Sequence, residues 1–315
     1  MMKDKIVVSG SLAYDKIMFF QGKFKDCILP EKTHILNISF QTDILEETFG
    51  GTAGNMAYNL SLLGERAKVL GVVGDDFAIY EKWMRKNNID CDFIKKVKNE
   101  KSAVAHIITD QDDNQISAYY SGPKDYTHCQ VAYKLKSVKI AIIAPEEKSR
   151  MLEYTKIYQE LKIPYIFDPG QQIGAFSGKE LKEIIGKSNI LIGNDYEISL
   201  ICKKIKKTLK ELKNIVKTLI ITKGGRGSEI YFENNKIKIE PVRVKKLVDP
   251  TGAGDAYRAG LIYGLSRDWE LERAGKLASL LASYAVEKDG TQNHKYSSSG
   301  IKKRYKLNYK EELKI

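Results

Sequence analysis

Short runs of β-branched and aliphatic residues alternate along this chain with longer segments whose apolar residues recur at helical spacing. The runs predict strands at Lys5–Ser9, Lys68–Val73, Lys139–Ala144, Pro164–Asp168, Asn189–Gly193 and Thr218–Thr222. The intervening segments predict helices that include Glu146–Leu161, Lys179–Lys187 and Lys207–Val216. This alternation allows few folds, because consecutive parallel strands need a crossover helix. We expect a mainly parallel sheet with helices on both faces and ligands beyond the carboxyl ends of its strands.

Two stretches, Ile17–Thr48 and Phe93–Ser121, interrupt this rhythm with short alternating patterns and no convincing helix. They are either long loops or a small second sheet, and loops of that length are uncommon without a function. A lid that closes over substrate is the functional interpretation. We therefore expect residues 1–315 to form one unit, in which residues 17–48 and 93–121 are the lid and residues 1–16, 49–92 and 122–315 are the large domain.

Composition excludes several classes of protein. A hydrophobic content of 43% supports a packed core, and no apolar run is long enough to span a bilayer. The amino terminus enters an apolar strand without the pattern of a signal peptide, which predicts a cytoplasmic protein. The 4 cysteines and 4 histidines are scattered, so neither a zinc site nor a disulfide framework is expected.

The net charge of +12 raises the question of a nucleic-acid partner. Lysines are spread over the whole chain and are not gathered with aromatic residues in one stripe. The densest basic run, Lys203–Lys210, alternates with apolar residues at helical spacing and predicts one solvated helix face. We expect no nucleic-acid partner and no membrane partner.

The segment Asp249–Leu261 reads Asp-Pro-Thr-Gly-Ala-Gly-Asp-Ala-Tyr-Arg-Ala-Gly-Leu and precedes a helical pattern. Gly252 and Gly254 permit a tight turn, and the amides from Gly252 through Ala253 to Asp255 would point from a helix amino terminus at an anion. A transferring phosphoryl group is such an anion. A carboxylate at its centre suggests a general base that takes the proton of the attacking hydroxyl. The alternative is that Asp255 only caps the helix.

On these residues the sequence resembles the ribokinase-like (PfkB-type) carbohydrate and nucleoside kinase family. Asp249–Gly260 is similar to its carboxyl-terminal signature, and Gly50–Ala57 to its amino-terminal signature. Asn194–Glu197 resembles the family's Asn-x-x-Glu, and Thr222–Gly227 its nucleotide loop. The resemblance implies a three-layer α/β/α sandwich with a mainly parallel central sheet and a small β-sheet lid.

Within the family, the likeness is to bacterial adenosine kinases. It is carried by Ser9–Asp15, Phe24–Pro30, Ser39–Phe40, Asp168–Gln172, Pro250 and Gly290–Gln292. The resemblance implies transfer of the γ-phosphoryl group of ATP to the 5′-hydroxyl of adenosine, which gives AMP in purine salvage.

Five residues are candidates for holding the acceptor. Asp15 follows the first strand and can accept hydrogen bonds from two ribose hydroxyls, while Gly51 and Asn55 can hold the same sugar. Gln171 and Gln172 offer amides that can read a purine edge. The alternatives are a turn carboxylate, a helix entry and ordinary loop polarity.

Two further acceptor candidates lie in the lid-like stretches. Tyr119 can stack on a purine, although aromatic residues in strands usually serve packing. Ser39 is a candidate through the resemblance alone. Where related enzymes carry a second aromatic residue, this chain has Ala103–Ala105, which leaves a broader nucleoside kinase open.

The resemblance also assigns residues to ATP and its ions. Thr222, Gly224 and Gly227 lie at the nucleotide, although glycine turns between strands look the same. Asn194 and Glu197 would position Mg²⁺ through water, although the same spacing marks a capped helix start.

Three residues near the catalytic loop complete the predicted site. Thr251 faces ATP together with the loop glycines. Asp249 and Thr251, with carbonyl groups near 286–290, are the candidates for a K⁺ site found in relatives. Arg258 either touches phosphate or pairs with an acid.

Several functions compete on this reading. The first is an adenosine kinase with Asp255 as general base, and the second is a kinase of a free sugar such as ribose or fructose. A catalytically silent nucleoside-binding protein is the third, and an intact Asp255 speaks against it. An uncovered edge of the lid sheet would let two chains pair, so a monomer or a homodimer is expected.

Overall fold

The computed structural model describes residues 6–29, 34–35, 37–112, 114–124, 126 and 129–315. Lys5 of the predicted first strand and Pro30 lie outside the described residues, as do positions 31–33, 36 and 113 of the predicted lid. The described chain forms a nine-stranded sheet and a separate four-stranded sheet. No helix among the described residues has the length and apolar character needed to cross a membrane.

Strands are numbered in chain order. They are β1 (Ile6–Ser9), β2 (Ala13–Phe20), β3 (Thr42–Gly50), β4 (Lys68–Gly74), β5 (Ile94–Val97), β6 (Ala103–Thr109), β7 (Gln115–Tyr120), β8 (Ile140–Ile143), β9 (Tyr165–Phe167), β10 (Ile190–Asn194), β11 (Thr218–Thr222), β12 (Ser228–Phe232) and β13 (Asn235–Ile239). The large sheet has the order β13-β12-β11-β10-β9-β8-β1-β4-β5. Its strands from β11 to β5 are parallel, and β12 and β13 are antiparallel.

The described residues form ten α-helices, several of which cover the two faces of this sheet. They are α1 (Phe24–Cys27), α2 (Thr52–Leu62), α3 (Ala78–Lys86), α4 (Lys148–Glu160), α5 (Gly178–Lys187), α6 (Asp195–Ile205), α7 (Leu209–Ile215), α8 (Ala253–Leu265), α9 (Leu271–Ala285) and α10 (Ser298–Tyr309). All six predicted strands and the three named helices agree with these elements to within about two residues at each end.

The central strands are buried on both faces, as expected for parallel strands covered by helices. Along β8, Ile142 faces the core on the side of α2, α8 and α9, while its neighbours Ala141 and Ile143 face the core of α4, α5 and α6. The same alternation occurs at Val7 and Val8 of β1. This arrangement confirms the predicted three-layer α/β/α sandwich.

The four-stranded sheet has the order β3-β2-β6-β7 and is called the small sheet. Its strands come mostly from the two stretches that interrupted the helical rhythm, but β2 begins at Ala13 and β3 ends at Gly50, inside the ranges predicted for the large domain. Within the predicted lid range 93–121, however, β5 pairs with β4 at the edge of the large sheet. The stretch 17–48 also contains α1, where no helix was expected. The Phe24 ring anchors this short helix against Phe20 and Phe40.

The interpretation of Lys203–Lys210 as one helix face was wrong. Helix α6 ends at Ile205, and Lys206 has a left-handed backbone with φ 54°. Thr208 then caps α7, because its hydroxyl accepts the amide of Glu211. The basic run therefore spans the end of one helix and the start of the next, which lysine spacing alone does not reveal.

Candidate active site

The catalytic-loop candidate lies at the amino terminus of α8. Gly252 occupies the cap position with φ 76°, a conformation that glycine adopts without strain. Glycine has no side chain that could cap the helix, so among the described residues the cap position of α8 makes no side-chain hydrogen bond to the first-turn amides. The first-turn amides of Gly254 and Asp255 thus lie at the positive end of α8, which suits an anion, whereas the Ala253 amide donates to the Pro250 carbonyl at 3.3 Å.

Asp255 is joined to the amino-terminal motif by a chain of buried amides. Asn55 donates from Nδ2 to Asp255 Oδ2 at 2.8 Å. Gln292 donates from Nε2 to Asn55 Oδ1 at 3.0 Å and to the Tyr80 hydroxyl at 2.6 Å. Trp83 donates from Nε1 to Gln292 Oε1 at 3.0 Å. These contacts fix the Asn55 amide so that its N–H group faces the carboxylate.

The electrostatic surroundings suit Asp255 to proton transfer. Burial raises the pKa of Asp255 from an ordinary value of 3.8 to about 6. The Asn55 hydrogen bond and the charge of Arg258 oppose this rise, whereas Asp168 and Asp15 add to it. A carboxyl group with a pKa near neutrality can both accept and release a proton at physiological pH.

Asp15 lies on β2 of the small sheet and faces the start of α2. A Cβ atom added to Gly50 would lie 2.2 Å from Asp15 Oδ2, so only glycine permits this approach. Burial, and then the charge of Asp249, raise the pKa of Asp15 to about 6. Gly51 is the cap residue of α2, and Asn55 lies in its first turn. The structure thus brings together the three predicted sugar-binding residues.

A narrow slot, here called the Tyr119 slot, adjoins this group. Its lining includes Ser11, Ala103, Tyr119, Glu146, Gln171 and Gln172. The structure thereby groups the three residues predicted to contact a purine, although they come from different elements. Ser39 is exposed and is not among the lining residues found in the described chain, so its contact with the acceptor stays a prediction.

A second, larger opening reaches the catalytic loop and is called the Thr222 cleft. It is lined by Thr222, Gly224, Gly227, Ala253, Gly254 and residues of α9 and α10. The contribution of α9 was not predicted. It includes Ser279, Ala282 and Ser283, small residues at helical spacing that leave room beside the loop.

Asn194 and Glu197 form a reciprocal capping box at the start of α6. The Asn194 amide N–H donates to Glu197 Oε2 at 2.7 Å, and Asn194 Oδ1 accepts from the Glu197 amide at 2.8 Å. Burial raises the pKa of Glu197. Within the described residues there is no cluster of three or more His, Cys, Asp or Glu side chains suited to direct metal binding. A magnesium role for this pair stays a prediction.

Asp249 holds the catalytic loop in shape. Its Oδ1 accepts from the Thr251 amide at 2.8 Å, and its Oδ2 accepts from the Gly290 amide at 3.0 Å. The Val286 carbonyl accepts the Val248 amide at 2.8 Å. The carboxylate thus joins the loop to the 286–290 segment, as the K⁺ hypothesis requires, but occupancy by K⁺ stays a prediction.

Arg258 pairs with an acid, which was one of its two predicted roles. Both Asp168 oxygens accept from its guanidinium group, with 2.8 Å between Nη2 and Oδ1. Its Nη1 also donates to the Gly254 carbonyl at 3.1 Å. Arg258 and Asp168 are 7% and 2% exposed, so this is a buried ion pair beneath the loop. Sequence reasoning missed the pairing because the two residues lie on different elements.

A family model described as pfkB family carbohydrate kinase matches residues 15–297. The chain belongs to the pfkB carbohydrate kinase family. The nucleoside kinase of Methanocaldococcus jannaschii is 32% identical over 92% of this chain and 93% of its own length. That of Methanothermobacter thermautotrophicus is 32% identical over 82% of this chain and 84% of its own.

Solved structures agree with this assignment. The nucleoside kinase of Burkholderia thailandensis in complex with inosine superposes with a TM-score of 0.87 and 34% identity, covering 98% of this chain and 100% of that one. The structure of the same enzyme in complex with ADP-inosine superposes with a TM-score of 0.85 and 35% identity, and it covers 98% of this chain and 97% of that one. This pfkB family member is a phosphotransferase that acts on an alcohol group.

Proposed function

We propose that this chain is an ATP-dependent nucleoside kinase that phosphorylates the 5′-hydroxyl of a purine nucleoside. Adenosine, with AMP as product, is the acceptor predicted from the sequence. The nucleoside kinases at 32% identity support the broader class. The complex of a 34% identical relative with inosine favours a second acceptor, a 6-oxopurine nucleoside.

One observation carries the proposal. The Tyr119 slot opens beside the group formed by Asp15, Gly51 and Asn55, which in turn contacts Asp255. A nucleoside would lie with its sugar beside Asp15 and its base in the slot, which has a volume of about 20 Å³ and must widen to admit a base. A free sugar has no group that would occupy the slot.

The chemistry follows from the positions of these groups. Asp255 accepts the proton of the 5′-hydroxyl while that oxygen forms a bond to the γ-phosphorus of ATP. The bond from the γ-phosphorus to the bridging oxygen breaks, and ADP leaves. The amides at the start of α8 stabilise the charge on the transferring group. Asp15 and Asn55 hold the sugar so that the hydroxyl faces Asp255.

We infer that ATP binds in the Thr222 cleft, because that cleft joins Thr222, Gly224 and Gly227 to the loop residues Ala253 and Gly254. Asn194 and Glu197 fit a magnesium ion held through water, since the capping box uses only one Glu197 oxygen. When bound, Mg²⁺ neutralises part of the negative charge of the phosphates. We also propose that Asp249 and Thr251 contribute to a K⁺ site.

The decisive experiment measures ADP release with ATP and a panel of adenosine, inosine, guanosine, cytidine, ribose and fructose. We expect turnover with purine nucleosides and a 5′-monophosphate product identified by mass spectrometry. Turnover with ribose or fructose and none with any nucleoside would overturn the acceptor class. Binding of nucleosides without ADP release would indicate a silent binding protein.

A further inference from the structure

Glu146 is a buried carboxylate that the proposed chemistry does not use. It follows the carboxyl end of β8 and lines the Tyr119 slot together with Gln171 and Gln172. Its residue exposure is 6%. The position of Glu146 in the slot was not predicted from the sequence.

The two oxygens of Glu146 have different surroundings. Oε2 accepts from Arg150 Nε at 2.6 Å. Oε1 is buried and has no hydrogen-bond partner among the described residues. Arg150 directs Nη1 away from it, to the carbonyl groups of Pro123 at 3.2 Å and Tyr126 at 3.4 Å.

An ion pair alone does not account for this arrangement. A buried carboxylate oxygen without a donor is costly, and nearly all such atoms in proteins are paired. Burial raises the pKa of Glu146 to about 7 despite the opposing charge of Arg150. Because Glu146 lines the slot, a hydrogen-bond donor that enters with the ligand would satisfy Oε1 once the slot widens and exposes that oxygen.

We propose that Glu146 Oε1 accepts a hydrogen bond from an N–H group of the nucleobase, and that this contact selects bases carrying such a donor. This inference rests on the proposed nucleoside kinase function. A carboxylate oxygen accepts only, so it favours the 6-amino group of adenosine or the ring N–H of a 6-oxopurine. Purine riboside has the same rings and sugar but no N–H donor on the base. It leaves Oε1 without a partner and should be rejected.

The neutral variant Glu146→Gln gives a specific expectation. A glutamine has one acceptor oxygen, and Arg150 would take it because all guanidinium hydrogens are donors. The amide NH₂ would then face the slot. It repels an N–H donor and suits the unsubstituted ring nitrogen of purine riboside.

The test is a cycle of two proteins and three nucleosides, with kcat/KM for ADP release measured at pH 8, where Glu146 is mostly ionised. We expect the wild-type protein to prefer adenosine or inosine over purine riboside by at least about tenfold. In Glu146→Gln this ratio should fall towards one. Because each ratio is taken within one protein, a general loss of activity cancels.

Glu153→Gln is the matched control, since it removes the same charge from a residue of α4 that is not among the described lining residues of the slot. Its ratio should stay at the wild-type value, and an equal fall in this variant would overturn the assignment to Glu146. If Glu146→Gln does not fold, the wild-type ratio still decides, because equal kcat/KM for all three nucleosides overturns the proposal.

The two proposals fail in different ways. Turnover of nucleosides with an unchanged ratio in Glu146→Gln would remove only the role of Glu146. No ADP release with any nucleoside would remove the proposed function and this inference with it.

Discussion

The Asn55 side-chain amide donates a 2.8 Å hydrogen bond to the carboxylate of Asp255, although the two residues lie 200 positions apart. Helices α2 and α8 pack against each other, which brings the two signature segments into contact. The bond supports the ionised form of Asp255, whereas burial opposes it. The balance leaves a carboxylate that is charged at neutral pH and still basic enough to take a proton.

Asp255→Asn should lower kcat by at least about 100-fold while nucleoside binding persists, because general base catalysis contributes on that order. The same variant should unfold at a higher temperature. Since the folded-state pKa is raised to about 6 from 3.8, protonation stabilises the fold at low pH, and this contribution is lost as pH rises through 6. A neutral side chain avoids that loss. Calorimetry measures the expected rise in unfolding temperature, and single-turnover kinetics measures the expected fall in the rate of phosphoryl transfer. The control is Asp268→Asn at an exposed position.

Activity should fall as pH decreases below about 6. The pKa values of Asp255 and Asp15 are both raised to about 6, and each must be ionised for its role. We therefore expect log kcat/KM to fall with a slope steeper than one proton. A pH profile for ADP release, corrected for folding by circular dichroism, measures this. A flat profile from pH 5 to 8 would exclude Asp255 as the base.

Gln292→Met should reduce kcat/KM by roughly tenfold and move the acid limb to higher pH, because Asn55 is then free to turn its oxygen towards Asp255. The pH profile separates this positioning effect from a simple loss of stability. Gln111→Met is a control at an exposed glutamine that donates to the Gln21 carbonyl. A lower Tm with an unchanged acid limb would contradict the expected role.

Arg258→Met should destabilise the fold by about 3–5 kcal/mol, because it leaves the buried Asp168 charge without a partner. The double variant Arg258→Met with Asp168→Leu should recover much of that loss, since it removes both charges. Urea unfolding measures the free energies. Equal destabilisation in the single and double variants would show that packing, and not the uncompensated charge, dominates.

Ala282→Phe should raise the KM for ATP without changing the affinity for nucleoside. Ala282 lines the Thr222 cleft, and an aromatic ring there would occupy the space assigned to the nucleotide. Titration with ATP and with adenosine separates the two sites. The control is Ala78→Phe at an exposed position of α3. A weaker affinity for adenosine with an unchanged KM for ATP would reverse the assignment of the two openings.

The strands and the catalytic loop were predictable because their signals are local. β-Branched runs mark buried parallel strands such as β11, and the glycines around Ala253 mark a turn into a helix. Tyr119, Gln171 and Gln172 were also predicted to share one site, and they line the Tyr119 slot together, but the other lining residues, including Glu146, were not predicted.

Contacts between distant elements could not be predicted in this way. The pairing of Arg258 with Asp168 and the bridge of Gln292 to Asn55 depend on how α8, β9 and α2 pack. Local spacing also left Asn194 and Glu197 ambiguous, because a capping box and a magnesium site require the same residues. The preference for adenosine stays a prediction for the same reason, since it depends on the depth of the slot.

The described chain passes between the large and small sheets four times. Gly10, Ser11, Ala103 and Ser121 at three of these passages line the Tyr119 slot, and Gly50 at the fourth lies against Asp15. The proposed acceptor site is thus lined by segments that connect the two sheets. A bound nucleoside would lie between these connecting segments. Its size and shape would therefore set the angle between the small sheet and the large sheet.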